Sequence, residues 1–313
     1  MQSYTGTMQN YKDAVTELST IRDFIRFGVS EMNRADIYFG HGTDNALDEA
    51  SAAVLYILRL SHDIPGHFMD SVLLQREREA IVELFRRRIS ERLPLAYLTH
   101  EAWFAGLKFY VDERVLVPRS PIAELIHQQF SPWLEYEQVG RVLDLCTGSG
   151  CIAIACAYQF PDAVVDAVDI SEDALAVAQR NVSELGVEEQ VNLIRSDLLS
   201  QVSGKYDLIV SNPPYVDRGE IKAMPEEFRA EPILGLESGD DGLDATRSIL
   251  ANASKYLNDK GVLIVEVGAS DEALVASYPD LPFTWLEFEN GGSGVFLLTK
   301  EQLDEYADML NKA

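Results

Sequence analysis

Two adjacent prolines, Pro213 and Pro214, stand just behind the apolar run Tyr206-Asp207-Leu208-Ile209-Val210, and that junction constrains the chain more than any other stretch. A short apolar run bounded by polar residues reads as a strand buried on both faces of a parallel sheet. Proline lacks a backbone N–H and fixes φ, so the chain cannot continue the ladder through either residue. Ser211-Asn212-Pro213-Pro214-Tyr215 therefore leaves the sheet at a strand's carboxyl end, where open α/β sheets bind their ligands.

Such a corner is stiff and rich in acceptors. If the Asn212 side-chain oxygen and the Pro213 carbonyl converge, they can take both hydrogens of a planar –NH2 group, and the ring of Tyr215 can fix the plane of that group. Its nitrogen would then face an electrophile beside the sheet edge, which suits alkyl transfer to an amide or an exocyclic amine. Asn212, Pro213, Pro214 and Tyr215 are the candidate substrate residues, with Asn212, Pro213 and Tyr215 at the reaction itself. A plain proline-stiffened loop is the alternative, and the neighbouring strands decide between the two.

Upstream, Arg141-Val142-Leu143-Asp144-Leu145 reads as a strand, Cys146-Thr147-Gly148-Ser149-Gly150 as a tight turn and Cys151 to Phe160 as an apolar helix. Glycines there permit positive φ and let backbone amides approach a ligand. The next strand, Val164 to Val168, ends in Asp169, placed to accept both hydroxyls of a ribose. Gly148 to Ala153 formally matches a dinucleotide fingerprint, a weak signal alone. Two acids argue against a nicotinamide cofactor. Asp144, just before the turn, favours a cationic group over a pyrophosphate, and Asp197, after the strand Val191 to Ile194, stands where an adenine amino group could be held.

The first 95 residues are helical in pattern: apolar residues recur at helical spacing from Met8 to about Ala35, from Asp48 to Leu60 and from Met69 to Arg92. Arg76, Arg78, Arg86, Arg87, Arg88 and Arg92 lie on the last helix, interleaved with glutamates, which reads as a solvated face rather than a phosphate-binding one. Alternation then signals a β-hairpin, with Leu107, Phe109 and Val111 before a turn at Asp112-Glu113 and Val115 and Val117 after it; Phe109, with Trp103 and Phe104, is a candidate to reach the pocket. Residues 1–95, 96–120 and 121–313 are thus expected to form a helical substrate domain, a hairpin linker and a catalytic domain. Val216 to Asp240 is too long for a simple turn and is expected to be a lid or substrate loop. The terminal strands, Phe283 to Phe288 and Gly294 to Thr299, fit a seven-stranded sheet ending antiparallel.

A net charge of -25 argues against a broad nucleic-acid or membrane footprint and suits a basic protein partner. Most of the excess falls after residue 95, where 15 basic side chains face 37 acidic ones. Cys146, Cys151 and Cys156 have no CxxC pair and no nearby histidine, so no metal site is expected. Without a signal-like amino terminus or a membrane-length apolar run, a soluble cytoplasmic protein is expected.

With these residues assembled, the sequence resembles the HemK-type protein glutamine methyltransferases, which use S-adenosylmethionine. The likeness runs from about Pro94 onward: Pro94-Leu95-Ala96-Tyr97-Leu98, Val117-Pro118-Arg119, Asp144 to Gly150, Asp169, Asn212 to Tyr215, Glu231-Pro232, Asp241-Gly242-Leu243 and Glu266-Val267-Gly268. It implies a class I, Rossmann-like seven-stranded methyltransferase sheet behind a small helical domain and a hairpin linker. It also implies that Asp144 and Cys146, Thr147, Gly148, Ser149 and Gly150 hold the methionine part of the cofactor, Asp169 the ribose, and Asp197 with Leu198 the adenine. Asn212 and Pro213 would grip the glutamine amide, and Asn212, where both ligands meet, counts among the cofactor residues too. Members acting on peptide-chain release factors usually read Arg-Pro-Glu-Thr-Glu after the hairpin, whereas this chain reads Arg119-Ser120-Pro121-Ile122-Ala123-Glu124. That variant resembles the branch that methylates a glutamine of large-subunit ribosomal protein three. Release factors, the amino groups of DNA or RNA bases, and a non-enzymatic role in ribosome assembly are the alternatives.

Overall fold

A computed structural model describes residues 4–311. The chain forms two compact units: one runs to His100 and includes Pro225–Ala230, the other comprises Glu101–Met224 and the chain from Glu231 onward.

The first unit is helical, with helices Tyr4–Glu17, Ile21–Arg34, Ala46–Leu58, Gln75–Glu91 and Leu95–Thr99. Two expected helix limits are corrected. The helix anticipated from Met8 to Ala35 is broken, because Thr20 caps a new helix: its Oγ1 accepts from Asp23 N at 3.2 Å while Asp23 Oδ2 accepts from Thr20 N at 2.9 Å. The helix anticipated from Met69 begins only at Gln75, since Ser71 to Leu73 is drawn into extended pairing with the same break, Leu73 N donating to Ser19 O at 2.8 Å.

The arginine stripe is corrected as well. Arg86 and Arg87 pair on the surface with Glu83 and Glu91, as a solvated face would. Arg88 instead is wholly buried, its Nε on Glu49 Oε1 at 2.5 Å and its Nη2 on Tyr38 O at 2.9 Å. Arg92 caps the carbonyls of Ala35 and Asp36 and meets Glu227 Oε1 at 3.0 Å, and Arg78 donates to the carbonyls of Val15 and Leu18. Glu227, carried by the returning segment Pro225–Ala230, is also buried.

In the second unit a short hairpin pairs β1 (Ala102–Phe104) with β2 (Leu107–Phe109). Its turn is Ala105-Gly106, with φ of 47° and 75°, the left-handed pair that two-residue hairpins require. The turn expected at Asp112-Glu113 exists, but Val115 and Val117 join no strand: Asp112 instead takes Tyr110 Oη at 2.9 Å and the guanidinium of Arg114 at 2.6 and 2.8 Å.

The main sheet contains β3 (Arg141–Leu145), β4 (Val164–Asp169), β5 (Val191–Arg195), β6 (Tyr206–Ser211), β7 (Leu257–Glu266), β8 (Thr284–Trp285) and β9 (Val295–Thr299). Their order is β5-β4-β3-β6-β7-β9-β8, parallel through β7, with β9 antiparallel to both its neighbours. Strand alternation separates two apolar layers. Val142, Leu208, Val210, Val262, Ile264 and Leu297 face one, and Leu143, Leu145, Ile209, Leu263, Val265 and Phe296 the other. With helices over both faces, the central strands read as near-continuous apolar runs. Order reverses between β3 and β6, so a crevice opens beyond their carboxyl ends.

Candidate active site

A cavity of about 510 Å³ occupies that crevice, within the second unit. That is ample for a nucleoside-sized ligand. Its walls are the segments that leave β3, β4, β5 and β6, together with residues 114–120 and 234–239. Of the residues expected at the site, Cys146, Thr147, Gly148, Ser149, Asp169, Asp197, Leu198, Asn212, Pro213, Pro214 and Tyr215 line it. Phe109, Gly150 and Asp144 do not.

Phe109 packs in the apolar core against Phe104 of the facing strand and does not line the cavity. Gly150 caps the helix Cys151–Gln159 with φ of 80°, and a Cβ there would lie 3.2 Å from the Ala178 Cβ, so its role is close packing. Asp144 lies beneath the turn. Its Oδ2 accepts from Thr147 Oγ1 at 2.5 Å and from Ala153 N at 3.1 Å, while Oδ1 is buried without a partner. Burial pushes this carboxyl up to about 7 against the pull of those two bonds. In this arrangement Asp144 shapes the loop that borders the cavity.

The loop has the features of a cradle. Gly148 has φ of 56°, and a Cβ built on it meets nothing within 4 Å, so a side chain there would project into open space. Asp169 is held by two backbone amides, Gly148 N on Oδ2 and Ser171 N on Oδ1, both at 2.9 Å. A carboxylate has about four acceptor sites, so acceptor capacity remains for a hydroxyl beside these amides. Burial raises this carboxyl against the pull of backbone amides at Ser171, Gly148 and Ile170. Cys146 (φ 59°) and Leu198 (φ 44°) occupy left-handed backbone positions usual for glycine. Desolvation, reinforced by the charges of Asp169 and Asp144, pushes the thiol of the half-buried Cys146 up. Both arginines on the wall are already matched, Arg114 to Asp112 and Arg119 to Glu231. The carboxylates of Asp169 and Asp197 then favour a cationic ligand over a polyphosphate.

Across the cavity, Tyr215 is fixed at three points. Its Oη donates to Glu266 Oε1 at 3.3 Å, its carbonyl accepts from Ser270 Oγ at 2.8 Å, and its ring lies where a Cβ on Gly268 would come within 2.6 Å. Sequence reasoning attached no role to Ser120, Glu231, Glu266 or Gly268. Their signal was present in Glu231-Pro232 and Glu266-Val267-Gly268, but nothing along the chain links these short stretches to Tyr215 or to one another.

Comparison with known proteins places the chain. Residues 127–231 match the family model described as methyltransferase small domain. The chain is similar to a protein of Neisseria meningitidis serogroup B named ribosomal protein uL3 glutamine methyltransferase, 54% identical over 94% of this chain and 97% of that one. A protein of the same name from Francisella tularensis subsp. tularensis is 50% identical over 98% of each chain. Among solved structures, the hMettl16 catalytic domain in complex with a 3′UTR hairpin shares the fold at a TM-score of 0.50 and 16% identity, covering 76% of this chain and 86% of that one.

Proposed function

The chain belongs to the ribosomal protein uL3 glutamine methyltransferase family, and from that premise we propose that it transfers a methyl group from S-adenosylmethionine to the side-chain amide nitrogen of a glutamine in uL3. One observation carries the reading: the proline-locked corner Asn212 to Tyr215 and the acidic cradle around Asp169 line a single cavity. The residues suit the cofactor. Asp169 offers a carboxylate for the ribose, the open side of Gly148 leaves room for the methionine part, and Asp197 and Leu198 border the position of the base. When bound, the cofactor supplies a methyl group made electrophilic by its sulfonium.

The chain's own residues then have one main task, since an amide lone pair is delocalised and weakly nucleophilic. Asn212 and Pro213 accept the two amide hydrogens, which orients the nitrogen and excludes a carboxylate from the same place. Tyr215 limits the plane of the amide. The acidic surface, net charge -25, suits a basic protein substrate.

The test is transfer from radiolabelled S-adenosylmethionine to purified uL3, with a release factor and protein-free ribosomal RNA as parallel acceptors. Label on uL3, located on a glutamine by mass spectrometry, is expected. Label on the RNA alone, or on the release factor in preference to uL3, overturns the assignment.

A further inference from the structure

Glu266 ends β7 with its carboxyl almost fully buried, yet it does not line the cavity. Both oxygens are engaged: Oε1 takes the Tyr215 hydroxyl at 3.3 Å, and Oε2 takes Ser120 Oγ at 2.5 Å. Ser120 is buried too, and its Oγ accepts from Ile122 N at 3.2 Å, which directs the hydroxyl proton to the glutamate. A carboxylate in such a place is a poor structural choice, because desolvation opposes its charge and an apolar residue would fill the volume at lower cost. Burial pushes this group up to about 7 in spite of its two donors and the nearby charge of Arg119. What the carboxylate does achieve is to hold a phenol ring by its far end, while Gly268 gives the ring room and Ser270 holds its backbone.

We propose that Ser120 and Glu266 are positioning residues for methyl transfer, forming a relay that sets the ring of Tyr215 against the amide to be methylated. The inference rests on the reading of Asn212 to Tyr215 as the amide-binding corner and goes beyond it.

The experiment is a double-mutant cycle on turnover, with Glu266→Gln, Tyr215→Phe and their combination, and Ser120→Ala as a milder fourth variant. Thermal unfolding and the Kd for S-adenosylmethionine are followed alongside. Each single variant is expected to lower kcat about ten- to a hundredfold, as small misplacements of reacting groups do, while cofactor Kd stays within about threefold. The combined variant should be no slower than the worse single one, because both changes cut the same relay. Ser120→Ala should lower kcat in the same direction with cofactor Kd unchanged. An active wild type with undiminished kcat in Glu266→Gln and Ser120→Ala, or with effects that multiply, overturns the relay alone. A wild type unable to methylate uL3 overturns the functional reading, and the relay with it.

Discussion

Arg119 and Glu231 meet fork to fork, Nη1 on Oε1 at 2.6 Å and Nη2 on Oε2 at 2.8 Å, with the glutamate side chain wholly excluded from solvent. Glu231 Oε1 also accepts from Val117 N at 3.0 Å, so one carboxylate ties the segment after the hairpin to the far end of the excursion that follows Tyr215. Removing one partner of such a pair strands the other charge and costs about 3–5 kcal/mol. Glu231→Ala is expected to show a loss of that size in urea unfolding. Arg119→Lys, which keeps the charge but not the fork, should fall between it and the wild type. Equal midpoints for all three proteins would show that the pair is not buried in solution.

Asn212 touches the proposed reaction rather than the frame. Asn212→Ala should reduce turnover on uL3 by about a hundredfold or more, the scale of losing an oriented hydrogen-bonding group, while cofactor affinity by calorimetry changes only a few-fold. Undiminished turnover would refute the role given to the corner.

Asp144 makes stability depend on pH in a definite direction. Its ordinary value of 3.8 rises to about 7 in the fold, so between those limits the folded chain holds a proton that the unfolded chain has released. Stability contributed by the neutral form is therefore lost as pH rises through that window, by an amount on the order of a few kcal/mol. Relative to the wild type, Asp144→Asn should gain thermal stability on going from about pH 5 to about pH 8. A difference in unfolding midpoint that stays constant across that range would reject the raised value.

Cys146 bears the strain of a left-handed backbone, φ 59°, for which a non-glycine residue incurs about 1–2 kcal/mol. Cys146→Gly should be at least as stable as the wild type despite the lost side chain, whereas a β-branched Cys146→Val should be clearly less stable. The opposite ranking in denaturant midpoints would mean that the thiol's contacts outweigh the backbone term.

In the helical unit, Arg88→Met would leave the buried Glu49 without its cation and Glu227 with Arg92 alone, and about 3–5 kcal/mol of stability should disappear. Adding Glu49→Leu and Glu227→Gln should restore much of it, since a neutral, well-packed replacement of a buried ion network is often tolerated. If the single change proves harmless by chemical unfolding, the network contributes nothing.

The sheet, the order in which its edge loops appear and the loops after β3, β4, β5 and β6 that border the cavity were legible along the chain. These are local matters: apolar runs of strand length, glycines that allow positive φ, prolines that end a ladder, and acids placed directly after strands. The helix start at Gln75 was not legible, because it depends on Leu73 pairing with Ser19 across the chain, whereas the break at Thr20 rests on a local cap with Asp23 that the apolar spacing overrode. The hairpin turn was misplaced because Asp112 looks like a turn residue in sequence, yet it is engaged by Tyr110 and Arg114 in space.

Only tertiary structure decided that Phe109 is core, that Asp144 lies under the cradle, that Arg88 is interior, and that Ser120 and Glu266 hold Tyr215. The physical reason is common to all four. A residue's burial and its bonding partner are set by segments that may lie more than a hundred positions away, as Ser120 and Glu266 do. Side-chain type and spacing carry no record of which distant donor or acceptor will arrive.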